Sequence, residues 1–317
     1  MVPISIDNVN YRSDKDADAQ VMLDIETIGS IGPRARMRVY FAPFTRGGIE
    51  DALKQAAQDH VSVLQVGGGQ PEPSWSDDDF DGVEAALKTA TTKEGITVLA
   101  PAGNGGVTAG LKDGRPHVEY PGSSQWVLSI GSTSLKSEAG RIVSEFVWND
   151  CTFASGGGVS DKIERPDWQS GVSVPKRQDG KPGRGVPDLV ASGDPMHGFP
   201  IIVHGQKAEM GGTAVSVPLW TGLVALVNQS LEYNVRYLNP RLYREIGPAS
   251  LFHMITFGDN SMAGVKGYAA GGAWSPVAGW GSPDGTMLLT WLRANPSLSD
   301  AGTTVRADCR SYGTGSR

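Results

Sequence analysis

The sequence has little cysteine, no excess of positive charge and no long uninterrupted apolar run. Two cysteines, Cys151 and Cys309, are too few for a disulfide framework and read as free thiols, with a single pair as the alternative. A formal net charge of −6 offers no basic field for a phosphate backbone, which excludes nucleic acid as a partner. The N-terminal stretch MVPISIDNVNYRSDKD turns polar within a few residues and lacks the cationic and apolar segments of a secretion signal. The longest apolar stretch, 215–227, reads as too short and too interrupted to span a bilayer, so no membrane partner is expected and the chain is expected to be soluble.

What is present suits one large core. At 317 residues, 39% apolar and 20% charged, the chain reads as a single domain over 1–317. Its 42 glycines imply many tight turns and close backbone approaches. Residues 36–41 (RMRVYF) have strand character, and 47–60 carry Ile49, Leu53 and Ala56 at helical spacing. The pattern recurs as a strand at 61–66, a helix at 79–92 with Val83, Ala86 and Leu87 on one face, and a strand at 96–100. This alternation predicts an α/β fold, a mostly parallel sheet with helices on both faces. A strand at 126–130, a hairpin turning at His204-Gly205, a long helix at 215–231 and a shorter one at 240–246 complete the outline, with loops at 154–160 and 175–185.

The segment Gly211-Gly212-Thr213-Ala214-Val215-Ser216-Val217-Pro218 opens the long helix and resembles the GGTSxxxP nucleophile motif of the sedolisins, serine-carboxyl peptidases of subtilisin-like fold. Matches continue in register: VMLDIE at 21–26, YFAP at 40–43, TVLAPAGNG at 97–105, HVEYPGSSQWVL at 117–128, VWND at 147–150, GGGVS at 156–160, GRGVPD at 183–188, LNPRLY at 238–243 and GWGSPDG at 279–285. The resemblance implies where catalytic residues fall. The nucleophile position is Ala214, whose methyl group cannot attack a carbonyl. The family's paired Glu and Asp, four apart on one helix face, fall on Gln20 and Asp24, and an amide cannot accept the serine proton. The oxyanion aspartate falls on Asn104, which can still donate a hydrogen bond. No histidine among His60, His117, His197, His204 and His253 stands in an HGTH-like setting, which excludes a subtilisin Ser-His-Asp triad. Ser216 is turned by about 200° from position 214 on a helix and reads as a packing or back-bonding hydroxyl. Asp24 alone reads as a buried structural acid.

The resemblance also implies a C-terminal calcium site built on FHDIT and AGxGWD. Here the corresponding positions are Met254, Ile255, Gly271, Ala273 and Ser275, with both carboxylates replaced, so no bound metal or other cofactor is expected; Asp259 is the one nearby substitute. Gln, Asn and Ala at the catalytic positions are also what an experimenter would introduce to inactivate an endopeptidase. Met254, Ser275 and Val66, where the family has a tryptophan, favour natural loss of activity. The expected function is therefore a catalytically inactive, sedolisin-like pseudopeptidase with a binding, structural or assembly role. The alternative is an enzyme using Asn104, Asp24 and the old cleft for non-proteolytic chemistry.

Relative to the family, the resemblance starts late, so the chain is expected to lack the N-terminal strand that lies inside the sheet. The run beginning at Arg36 and ending at Phe41 and the run from Val61 through Val66 would flank the gap. Either they pair directly, or the strand comes from a protein partner or from self-association at that edge.

Overall fold

Short β-branched runs followed by capped amphipathic helices set the architecture of the computed structural model, which describes residues 1–7 and 15–296. β1 (Val2–Ser5) lies parallel to β2 (Arg38–Phe41), with Val2 opposite Arg38. The main sheet holds β3 (Val63–Gln65), β4 (Thr97–Pro101), β5 (Leu128–Glu138), β6 (Arg141–Val147) and β7 (Leu189–Ser192). Its order is β7-β5-β4-β3, all parallel, with β6 folded back antiparallel on the far half of β5. A hairpin, β8 (Phe199–Val203) and β9 (Gln206–Met210), turns at His204-Gly205 as expected.

The helices are α1 (Lys15–Ile31), α2 (Arg46–Gln58), α3 (Asp77–Thr92), α4 (Thr213–Leu231) and α5 (Gly285–Ala294). Thr45 caps α2 through the Gly48 N–H, and Ser76 caps α3 through the Asp79 N–H with three aspartates in the first turn. Alternation along β4 divides the core. Leu99 packs with Leu128, Ile130 and Leu189 against Val217 and Trp220 of α4. Val98 and Ala100 point the other way, toward Leu53 of α2 and Val83 and Leu87 of α3.

Three local expectations are corrected. The strand expected at 126–130 begins at Leu128 and runs on to Glu138, because its outer half pairs with β6 rather than with the core. The helix expected at 240–246 is a short α-turn, Asn239–Arg241, followed by a π-turn, Leu242–Ile246. The helix expected from 215 starts at Thr213, and its 19 residues are long and apolar enough to cross a membrane by composition. It is instead the central core helix, with Val217, Trp220 and Val224 buried. The loops at 154–160 and 175–185 enclose one two-residue ladder, Gly158–Val159 with Gly185–Val186.

β2 and β3 are joined through α2, yet they are not bonded to each other. A cavity of about 1250 Å³ separates them.

Candidate functional site

The carboxyl ends of parallel strands gather the residues singled out by sequence, as expected for an open α/β sheet. β4 delivers Ala102, Gly103 and Asn104, β3 delivers Gln65, α4 begins at Thr213, and α1 runs alongside with Gln20 and Asp24.

The four-residue spacing on α1 puts Gln20 and Asp24 on one face, and Gln20 Nε2 donates to Asp24 Oδ1 at 3.0 Å. Gln65 also hydrogen-bonds the Asp24 carboxyl, and its own Oε1 accepts from Thr221 Oγ1 of α4 at 3.0 Å. Burial outweighs both bonds and pushes the Asp24 carboxyl up to about 7. The position thus holds an amide and an acid that keeps its proton well above the ordinary carboxylate range.

The start of α4 needs close backbone approach. A Cβ on Gly211 would stand 2.6 Å from Pro195 backbone atoms, and one on Gly212, at φ +90°, would stand 2.9 Å from the Asn104 amide. Space left by Gly212 lets Asn104 Oδ1 accept from the Thr213 N–H at 2.8 Å and the Thr213 hydroxyl at 3.0 Å. An N–H can only donate, so this contact fixes the amide orientation: Asn104 caps α4 with its oxygen and keeps Nδ2 as the donor. Ala214 follows, its methyl packed with Leu23, Ile201 and Val215.

Ser216 is fully buried. Its Oγ lies 2.7 Å from Ser132 Oγ and donates to the Ala191 carbonyl at 2.9 Å. It ties α4 to the sheet and does not bond back within its helix, which corrects that part of the sequence reading.

Sequence reasoning missed Glu119, which fills a variable position in the HVEYP segment and so gave no signal. Its carboxyl accepts the backbone N–H of Asn104, and burial raises it to about 7. It fits only because Gly69 and Gly103 are bare: a Cβ on either would come within 2.9 Å and 2.1 Å of its carboxyl oxygens.

The degenerate calcium positions offer little to a hard cation. Met254 presents an exposed thioether, Ile255 is buried, and Ser275 Oγ accepts from the Ala278 N–H at 3.3 Å. Gly271 and Ala273 bring no side-chain oxygen. Asp259 binds the Ser261 N–H at 2.7 Å within its own turn. Among the described residues no group of three or more His, Cys, Asp or Glu could hold a metal. These residues do not fit calcium. Cys151 is exposed, and Cys309 lies outside the described residues.

Comparison with known proteins agrees with this geometry. The profile described as Subtilase family matches residues 33–246. The chain is 40% identical to kumamolisin from Bacillus sp. (strain MN-32) over 95% of its own length and 56% of that protein. It is 30% identical to sedolisin from Pseudomonas sp. (strain 101), over 91% of this chain and 51% of that one. It is likewise 30% identical to human tripeptidyl-peptidase 1, over 87% and 52%. The chain therefore spans about half the length of the curated relatives it matches. The solved Pseudomonas sedolisin, described as a serine-carboxyl proteinase, superposes with a TM-score of 0.83 at 29% identity, covering 93% of this chain and 84% of that one. With the Asn104-capped helix start and the α1 pair in place, the chain belongs to the subtilase family, as a sedolisin-type member with the subtilisin-like fold.

Proposed function

We propose that this chain is a non-hydrolytic sedolisin-type protein that keeps the peptidase scaffold as a binding surface. One observation carries the reading: the helix start that would present a nucleophile presents the methyl of Ala214, and the partner of Asp24 is the amide of Gln20. No oxygen stands there to attack, and no carboxylate pair stands there to take its proton. The oxyanion-type donor, Asn104 Nδ2, is retained, but its amide also caps α4, so a structural duty accounts for it.

A second reading has its own support. Asp24 and Glu119 are two carboxyls held at about 7 by burial, and acids poised near neutrality suit proton transfer on a non-peptide substrate. The large cavity favours the first reading, since it takes in Gln20 and Asp24 but not Asn104, Glu119 or Ala214.

The test is a peptidase assay on purified protein, with unstructured protein and tripeptidyl substrates between about pH 3 and 8. Neither the wild type nor Ala214→Ser turns over substrate above the buffer rate. Turnover that disappears on Asp24→Ala would overturn the proposal, and turnover gained by Ala214→Ser alone would show another group acting as base.

A further inference from the structure

We propose that two neighbouring loops, 110–116 and 175–183, form a docking site for a short acidic peptide segment of a partner protein. The inference rests on the binding-surface reading and deepens it by naming the chemistry of what is bound.

The sequence supplies the charge. The two loops hold five lysines and arginines against two aspartates, in a chain whose formal charge is −6. Backbone bonds close each loop. The Leu111 N–H donates to the Thr108 carbonyl and the His117 N–H to that of Val107, while the Arg177 N–H donates to the Lys181 carbonyl and the Gly180 N–H to that of Arg177. Gly114 at φ +75° and Gly180 at φ +81° supply the left-handed turns. The loops meet where Arg115 Nε donates to Gln178 Oε1 at 3.0 Å, which gathers their cations on one surface.

Both aspartates are already engaged. Asp113 Oδ2 lies 2.7 Å from His117 Nε2, and its Oδ1 accepts from the Arg115 N–H at 3.1 Å. Asp179 Oδ1 accepts from the Lys181 N–H at 2.9 Å, and the same carboxylate stands 3.5 Å from Arg177 Nε and 3.7 Å from Lys181 Nζ. Lys112, Arg115 and Lys176 are exposed, and none of the three forms an ion pair among the described residues. With Nε tied to Gln178, Arg115 keeps both Nη groups, the fork that receives a carboxylate through two parallel hydrogen bonds. Cations gathered without counter-charges of their own attract an anion.

Charge and position together select a short acidic peptide. Asp161, whose carbonyl accepts from Arg177 Nη1, borders the patch, and its neighbour Lys162 pairs with Asp77 in the acidic first turn of α3. A long polyanion such as a nucleic acid would run onto that repulsive ground, whereas a run of about four carboxylates ends before it. Loop 110–116 also leads directly through His117 to Glu119, which lies beneath the Asn104 N–H, so a segment docked here sits beside the cleft.

The probe is a synthetic peptide of four consecutive glutamates between glycines, with a tryptophan for detection, and its control carries glutamines in their place. At neutral pH and low salt the acidic peptide binds the purified chain saturably, and its affinity falls about tenfold as salt rises from about 50 to 300 mM. The glutamine control does not bind. Arg115→Lys, which keeps the charge and loses the fork, weakens binding about threefold to tenfold. Combined Lys112→Glu, Arg115→Glu and Lys176→Glu abolishes it, and Lys207→Glu, exposed on β9, leaves it unchanged. Absence of saturable binding or equal binding by the glutamine control overturns the proposal, and so does a loss in Lys207→Glu matching that of the combined variant, which would mean diffuse attraction only. Tighter binding of a single-stranded oligonucleotide of equal charge would place a nucleic acid there instead, and salt-sensitive self-association of the peptide-free chain, removed by the combined variant, would place a second copy. No peptidase assay enters this test: turnover would overturn the earlier reading alone, and failure of the acidic peptide to bind would overturn this one alone.

Discussion

Asp188 shows how much of this fold hangs on single buried polar groups. Its Oδ2 accepts from Arg184 Nη2 and the Ser129 N–H, both at 2.7 Å, and its Oδ1 accepts from the Tyr243 hydroxyl at 2.7 Å. Arg184 and Asp188 are both fully buried, and the guanidinium stacks over Trp168. The GRGVPD and LNPRLY segments, read as sequence matches, are thus two halves of one ion-centred network. Asp188→Ala strands a buried cation and is expected to cost about 3–5 kcal/mol, read as a lowered urea midpoint. A loss below about 1 kcal/mol would show that water or a rearranged Arg184 replaces the carboxylate. At this scale Gln20, Asp24, Asn104 and Ala214 were legible through the resemblance, whose motifs carry the family's catalytic positions onto them. Glu119 was not, since only the fold brings it beneath the Asn104 N–H.

Between elements, the crossing of α1 and α4 sets the Gln20–Asp24 pair beside the helix start, because α1 carries Gln20 and Asp24 while α4 carries Ala214. The two helices meet where Gly222 faces Ile31, and a Cβ on Gly222 would lie 2.8 Å from the Ile31 Cβ. In an unobstructed helix, Gly→Ala stabilises by about 1 kcal/mol. Here Gly222→Ala is expected to destabilise by about 1–2 kcal/mol, because overlap with a branch carbon cannot be relieved by a rotamer change. Thermal unfolding checks the sign, and a stabilised variant would show that the helices part freely. Helices α2, α3 and α4 and strands β2, β3 and β4 were readable from the sequence pattern, whereas α1 came through the resemblance and β1, β7 and α5 were not read. β6 was not: it leans away from the sheet body on the end of β5, and Ile142 and Val143 stay exposed, so its alternation carries no burial signal. Composition could not show the cleft beside β3 either; that expectation came through the resemblance.

For the molecule as a whole, three buried carboxyls, Asp24, Glu84 and Glu119, are each pushed up to about 7, in every case chiefly by burial. In the unfolded chain they release their protons near their ordinary values of about 4. Between about pH 4 and 7 the folded state therefore holds protons that the unfolded state has lost. Stability is highest at the acid end of that window, falls as pH rises through it and levels off above about 7. Denaturation across pH 4 to 8 checks the direction, and Asp24→Asn should flatten part of the slope; a midpoint that rises through this range would mean that the paired carboxylates elsewhere dominate. The glycines before α4 bear on the chain's history in a different way. Gly211 and Gly212 are required by Pro195 and Asn104, which leave no room for a side chain, and Thr213 is held by its bonds to Asn104. Folding alone requires these letters, whether or not a chain that carries them cuts peptides. A match to this signature therefore reports packing at a helix start, and a reading of activity has to rest on the letter that follows it, Ala214.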